Sequence, residues 1–471
     1  MTKFLPKIIQ GGMGVGVSST KLANTVSRAG QLGVVSGTAL GLTFARRLMQ
    51  KGNEVYLEAM NHFPFKKVIE KIKAKFSVKN DQDPFKMVEM PTIHPSEDLN
   101  ELIVVANFVE VHLAKKGHNG VVGINFLEKI QFPTLASIYG AILAGVDYIL
   151  MGAGIPHRIP DVIKKLTNHE DASLPIKVAN EQQNDIELST FSPKAFAQDE
   201  ALPELTKPQF LAIIGSHTLA NYLMKSEFGS PDGFVVELPV AGGHNAPPRG
   251  NYVLTESGEP IYGARDVVDF EALKAINKPF WLAGGFGNPE GLQKALSLGA
   301  VGIQVGTAFA FSNESGFEAT LKQRVLRQVT EGKVRVKTDI KASPTGFPFK
   351  VANIEGTLSE DDTYTSRKRV CDLGYLREAY RKDNGSIGYR CPSEPVEDYV
   401  RKGGKVEDTV GRKCLCNGLV AGIGLGQKRK DGHDELPLVT SGDDLLFLGP
   451  LVDLESYSYS AVDVLNYLLN T

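Results

Sequence analysis

"FWLAGGFGNPEGLQKALSLGAVGIQVGTAF", residues 280–309, holds two short apolar runs separated by a helix pattern. FWLA and VGIQV are apolar at nearly every position and end at glycine, as strands buried on both faces of a parallel sheet do. Between them PEGLQKALSLGA carries helical spacing and closes at a glycine, a common helix terminus. A strand, a helix and a second strand in this order form a βα unit, and such units build parallel sheets.

The rhythm recurs along the chain. KIIQGG (7–12), LGVVSG (32–37), GVVGINF (120–126), DYILMGAG (147–154) and GFVVELP (233–239) are further glycine-punctuated runs. SSTKLANTVSRAG, FPTLASIYGAILAG and PDVIKKLTN supply helix patterns after the first, third and fourth. These runs make seven strands, and an eighth must lie between 174 and 216, where LPIKVAN (174–180) competes with FLAIIGS (210–216). FLAIIGS leads directly into the helix pattern HTLANYLMKSEFG and is read as the fifth strand. LPIKVAN then opens an excursion or joins the same edge. The predicted fold class is α/β, a (β/α)8 TIM barrel over residues 1–330 with an insertion at 54–119 after strand two. Residues 331–471 form a C-terminal extension, too varied in composition for a low-complexity tail, that packs on the barrel and covers its mouth.

Composition narrows the function. The 471 residues are 42% hydrophobic and 23% charged, enough for a large core. Lys plus Arg (52) nearly balance Asp plus Glu (54), so no basic surplus points to nucleic acid, and a small molecule is the expected partner. No apolar stretch is long enough for a membrane span, and the N-terminus lacks a signal-peptide core; a cytoplasmic protein is expected. Cys371, Cys391, Cys414 and Cys416 fall close together near the C-terminus. Four thiolates suit zinc, but paired C-x2-C knuckles are absent, so reduced structural thiols without metal are the favoured reading.

Chemistry-bearing motifs sit at the predicted strand ends. In QGGMGVGVSS (10–19) Gly12, Gly14 and Gly16 have the wrong spacing for a dinucleotide fingerprint; glycines at the first strand's end either let backbone approach a flat ligand closely or make a tight strand-to-helix turn. Gly284 and Gly285 end the seventh strand, while Gly306 and Thr307 end the eighth. In a barrel these two loops build a phosphate site from backbone amides. VELPVAGGHNAPPRG (236–250) places His244 behind Gly242 and Gly243 at the end of the sixth strand, a position suited to acid/base work near neutral pH.

These motifs resemble the nitronate monooxygenase family, once called 2-nitropropane dioxygenases. The likeness runs from about residue 6 to 316 through PKIIQGGMG, VVGINF, VAGGHNAP and WLAGGFGNPEGLQKALSLGAVGIQVGTAFAFSNES. CLCNGLVAGIGLGQ and LVTSGDDL in the tail resemble a longer bacterial branch and the FMN enoyl reductases of polyketide and polyunsaturated fatty acid synthases. The resemblance implies FMN, with its phosphate at Gly284, Gly285, Gln304, Gly306 and Thr307. Its ring would lie near Gly11, Gly12, Met13 and Asn125, with Gly242 and Gly243 turning close to it.

By position His244 is the family's catalytic histidine, although HNAPPRG departs from the usual small residue and glycine that follow it. The implied activity is oxidation of an alkyl nitronate with O2. The alternatives are an NAD(P)H-dependent enoyl reductase served by an acyl carrier protein, and a non-catalytic flavin-binding or scaffold protein. His157 and His217 are secondary candidates at the mouth, Lys177 is read as a surface lysine, and KRKDGHDE (428–435) as a solvated loop.

Overall fold

A computed structural model describes residues 5–179, 185–429 and 432–470; Asn180 of LPIKVAN and Lys430 and Asp431 of the charge run lie outside the described residues. Eight parallel strands close a barrel in chain order. They are Ile8–Gln10, Leu32–Ser36, Val122–Leu127, Tyr148–Gly152, Gln209–Ile214, Gly233–Glu237, Phe280–Ala283 and Gly302–Val305. Gln209–Ile214 pairs with the fourth and sixth strands, so FLAIIGS is the fifth strand, as its run into a helix predicts.

LPIKVAN falls in the strand Ala172–Ala179, which alternates buried and exposed positions and leaves Lys177 exposed. A strand of that pattern suits a sheet with one wet face. It accordingly joins a separate four-stranded sheet with Ile186–Phe191, Glu378–Arg381 and Ile387–Arg390.

Alternation along the barrel strands divides the core in two. Ile9, Val34, Leu150, Leu211, Val235 and Trp281 point inward and fill the barrel, while Ile8, Val35 and Ile124 point outward under the helices. Trp281 is fully buried, and its indole Nε1 donates to the carbonyl of Pro6 at 2.8 Å, so its polar atom is satisfied.

The helical coat draws on both regions outside the simple βα repeat. Glu97–Lys115, from the 54–119 stretch, packs between Thr20–Arg28 and Thr134–Leu143. Ala461–Leu469 packs on Thr20–Arg28 and Pro289–Ser297, so the last helix of the described chain closes the ring between the first and seventh βα units. Among the described residues no helix is long and apolar enough to cross a membrane.

The charge run 428–435, read as a solvated loop, is exposed at Gly432–Asp434 but departs from that reading at Arg429 and Glu435. Arg429 pairs with Asp372 and, at 3.0 Å, with Glu435, whose carboxylate also takes both prongs of the buried Arg367 guanidinium. Because Glu435 and Arg367 are removed from water, each is tolerated only with the other present.

Candidate functional site

The C-terminal ends of the barrel strands surround a cavity with about 1540 Å³ of empty space, part of it open to solvent. Of the residues singled out from sequence, Gly11, Gly12, Met13, Asn125, Gly242, Gly243, His244, Gly284, Gln304, Gly306 and Thr307 all line it. Gly285 is the exception. Its N–H donates to the carboxyl of Asp444, which also takes the N–H of Gly287, so a tail side chain holds the amide expected at a phosphate. Burial raises that carboxyl above its usual range.

Two glycines are fixed by contact. A Cβ on Gly12 would stand 2.2 Å from the Cβ of Asn125, and one on Gly242 would stand 2.7 Å from the backbone nitrogen of Gly442. The first glycine allows the first and third strand ends to meet. The second lets the tail lie across the histidine loop.

Two polar side-chain atoms in this wall have no hydrogen-bond partner among the described residues. Asn125 Nδ2 donates to the carbonyl of Gly12 at 3.0 Å, but its Oδ1 is buried without a hydrogen bond, as is Gln304 Oε1. Orphaned acceptors on a cavity wall are costly unless a ligand's donors meet them. Ala39 and Ala153, which also line the cavity, hold φ of 59° and 57°, a conformation L-residues avoid outside constrained sites.

His244 Nε2 lies 2.7 Å from Ser343 Oγ, and its ring packs edge-on against Phe349. Burial first, and the Lys129 cation second, hold the imidazole well below its usual pKa, so it is neutral at pH 7. The chain beyond residue 330 fastens this loop. Asn245 N–H donates to Pro348 O at 3.0 Å, Lys350 N–H to Gly243 O at 2.9 Å, and Gly243 N–H to Thr440 Oγ1 at 3.0 Å. Lys350 Nζ pairs with Asp443 at 2.6 Å, and Gly442 N–H donates to Thr307 Oγ1 at 3.1 Å, tying the same segment to the eighth strand.

The remaining candidates lie elsewhere. His157 Nδ1 is 3.2 Å from the carbonyl of Ile155, and His217 Nδ1 accepts from Asp269 N–H at 3.3 Å; neither lines the cavity. The four cysteines line a small neighbouring cavity, with Cys371 and Cys391 in hydrogen-bond contact and Cys416 also on the main cavity wall. No group of three or more His, Cys, Asp or Glu among the described residues has metal-holding geometry.

Sequence reasoning missed Glu237, Ser343, Thr440 and Asp444 at this site. Glu237 carried a signal: it is the charged residue in the apolar run GFVVELP, at the active end of a barrel strand. The other three come from distant tail segments; Thr440 and Asp444 lie within LVTSGDDL (438–445), which marked a resemblance but gave no sign of where the segment packs, and Ser343 carried no local pattern.

Fold and site together define a (β/α)8 barrel with a glycine-walled ligand cavity at its strand C-termini and a histidine on the rim. Residues 163–346 match the model of the family "Nitronate monooxygenase", so the resemblance carried by the sequence motifs holds over that stretch. A probable nitronate monooxygenase of Staphylococcus haemolyticus (strain JCSC1435) is 32% identical over 124 residues, covering 26% of this chain and 33% of that protein. Another, from Bacillus subtilis (strain 168), is 33% identical over 128 residues, covering 27% and 35%. The chain thus spans about a third of the length of these curated relatives. Among solved structures, FabK from Thermotoga maritima is similar over 99% of this chain and 92% of that one, at 14% identity and a TM-score of 0.49.

Proposed function

We propose that the protein is an FMN-dependent oxidoreductase that oxidises alkyl nitronates with O2 to a carbonyl compound and nitrite. The observation that carries the reading is the pair of orphaned acceptors, Asn125 Oδ1 and Gln304 Oε1, on a cavity whose nearest strand end is glycine backbone. A flat heterocycle with N–H donors on its edge fits that wall. Gly11, Gly12 and Met13 would lie along the ring, with Gly242 and Gly243 at the histidine loop. Gly284, Gly306 and Thr307 would hold the phosphate, with the Gly285 amide withdrawn to Asp444. FMN supplies the redox chemistry when bound, and the chain positions substrate and excludes competing reactions.

His244 is held neutral, with its ring fixed by Ser343 and Phe349, and in that state it orients the nitro group through a hydrogen bond. We further propose the domain division 1–330 for the barrel and 331–471 for an extension whose segments 343–350 and 440–444 complete the site.

A second reading is favoured by one feature. Phe349, Leu373, Tyr375, Leu415, Leu419 and Val420 of the extension give the cavity an apolar side suited to an acyl chain. It supports an NAD(P)H-dependent enoyl reductase acting on a carrier-protein thioester. Anaerobic mixing separates the two. Flavin bleaching by ethylnitronate supports the first, bleaching by NADPH without nitronate supports the second, and a flavin that neither reduces defeats both.

A further inference from the structure

A second, smaller cavity lies against the extension's side of the main one. The two share Leu373, Leu376, Leu415 and Cys416, and the smaller is lined by all four cysteines of the chain. The surroundings of these thiols differ. Cys414 Sγ is engaged, donating to the carbonyl of Val370 at 3.8 Å and accepting from Asn417 Nδ2 at 3.5 Å. Burial raises the thiols of Cys414 and Cys416, which keeps both protonated and unreactive. Cys371 is half-buried and in hydrogen-bond contact with the buried Cys391. Arg377 lines the same cavity, its guanidinium held by the carbonyls of Pro91 at 2.7 Å and Gly374 at 3.2 Å.

We propose that Cys371 and Cys391 are a modification site, a dithiol that a hydroperoxide oxidises to a disulfide, and that closing the bond draws on the cavity wall at 373–376. The Cys371 thiolate attacks one peroxide oxygen and the O–O bond breaks. A sulfenic acid forms on Cys371, and the departing hydroxide takes a proton to become water. Cys391 sulfur then attacks Cys371 sulfur, the S–O bond breaks, and the second hydroxide leaves as water with the Cys391 proton. The two thiols together lose two electrons, and both peroxide oxygens are reduced to water. The pair lies behind the wall of the main cavity, so its oxidation is independent of which substrate that cavity takes.

Contact, charge and access select this pair over the other thiols. The hydrogen bond from Cys391 first, and the Arg377 guanidinium in addition, lower the Cys371 thiol against the opposing effect of burial. Cys391 is raised by the same hydrogen bond and by burial, so the pair divides into an attacking and a resolving sulfur. Cys371 also adjoins the wall. Its neighbour Asp372 pairs with Arg429 and accepts from Asn417 Nδ2 at 2.8 Å, while Leu373, Tyr375 and Leu376 line the main cavity. Gly374 turns between them at φ 69°, and a Cβ there would stand 2.6 Å from Arg377 Nε. Movement of Cys371 toward Cys391 is therefore passed to the wall through a tightly held turn.

The test uses the full chain, reduced and then treated with hydrogen peroxide. Thiols counted after denaturation should fall from four to two, and the intact mass should fall by that of two hydrogen atoms. A peptide map should join Cys371 to Cys391, with reversal by dithiothreitol; this readout needs no variant. Cys391→Ser should stop at a sulfenic acid that dimedone traps, and Cys371→Ser should take up dimedone at least ~10-fold less. Amide hydrogen exchange over 373–376 should shift at least ~3-fold on oxidation of the wild type and return on reduction. Four thiols that survive peroxide in the wild type, a bond joining any other pair, or zinc held by the four thiols overturns the site. Unchanged exchange once the disulfide has formed overturns its hold on the wall.

Discussion

The two ends of the barrel obey different rules. At its centre Ile9, Val34, Leu150, Leu211, Val235 and Trp281 form an apolar stack in which the indole nitrogen of Trp281 is satisfied. At its mouth Asn125 Oδ1 and Gln304 Oε1 are buried without a hydrogen bond among the described residues, Lys129 buries its ammonium over the Phe347 ring, and Glu237 lines the cavity beside that cation. The first arrangement stabilises the fold; the second retains a cost that only a ligand can relieve. Removing side chains should therefore have opposite consequences at the two places.

The largest effect belongs to the centre. Trp281→Ala removes the largest inward side chain and should destabilise the protein by about 3–5 kcal/mol, read from denaturant midpoints at constant slope. A loss below about 1 kcal/mol would show that the barrel interior is looser than its packing implies.

Next comes the clamp between tail and histidine loop. Lys350→Met leaves Asp443 without its partner and should cost about 1–3 kcal/mol while weakening FMN retention, measured by flavin fluorescence after dilution. Unchanged retention would separate the tail from the site.

The smallest effect is a pH dependence. The folded state raises Glu237 from 4.5 to about 7, so wild-type stability is fully present below the unfolded pKa and is lost as pH rises through that window. Lys129 acts oppositely. Its pKa falls from 10.5 to about 7, so its contribution is present at high pH and is lost as pH descends through that interval. Glu237→Gln should thus gain melting temperature relative to wild type as pH rises from about 5 to about 7. A constant difference across that range would mean that the carboxyl does not titrate there.

The same contrast explains what could be read from the sequence. The barrel was legible because a strand buried on both faces writes a contiguous apolar run, and glycine marks where it ends; FWLAGG and VGIQVG show both features. LPIKVAN differed visibly, since its alternating pattern belongs to a strand with one wet face. The glycines and His244 at the mouth were legible because they sit at strand ends, where a barrel places its chemistry. Ser343, Thr440 and Asp444 were not placed at the site, because they reach it from segments about a hundred residues or more away along the chain; LVTSGDDL marked the stretch holding Thr440 and Asp444 without showing where it returns. The charge run near Arg429 misled for a related reason: its partners Asp372 and Arg367 lie some sixty residues upstream, so local composition alone reads as solvated.

The central claim is that the glycine-walled cavity is a flavin site whose orphaned acceptors await the ring. It is tested most directly by titrating the flavin-free protein with FMN and following flavin absorption and fluorescence, in the wild type and in Gly12→Val. The account predicts saturable binding of one FMN per chain in the wild type, and loss of binding in the variant, whose side chain must displace Asn125. Absence of saturable binding to the folded wild type would contradict it.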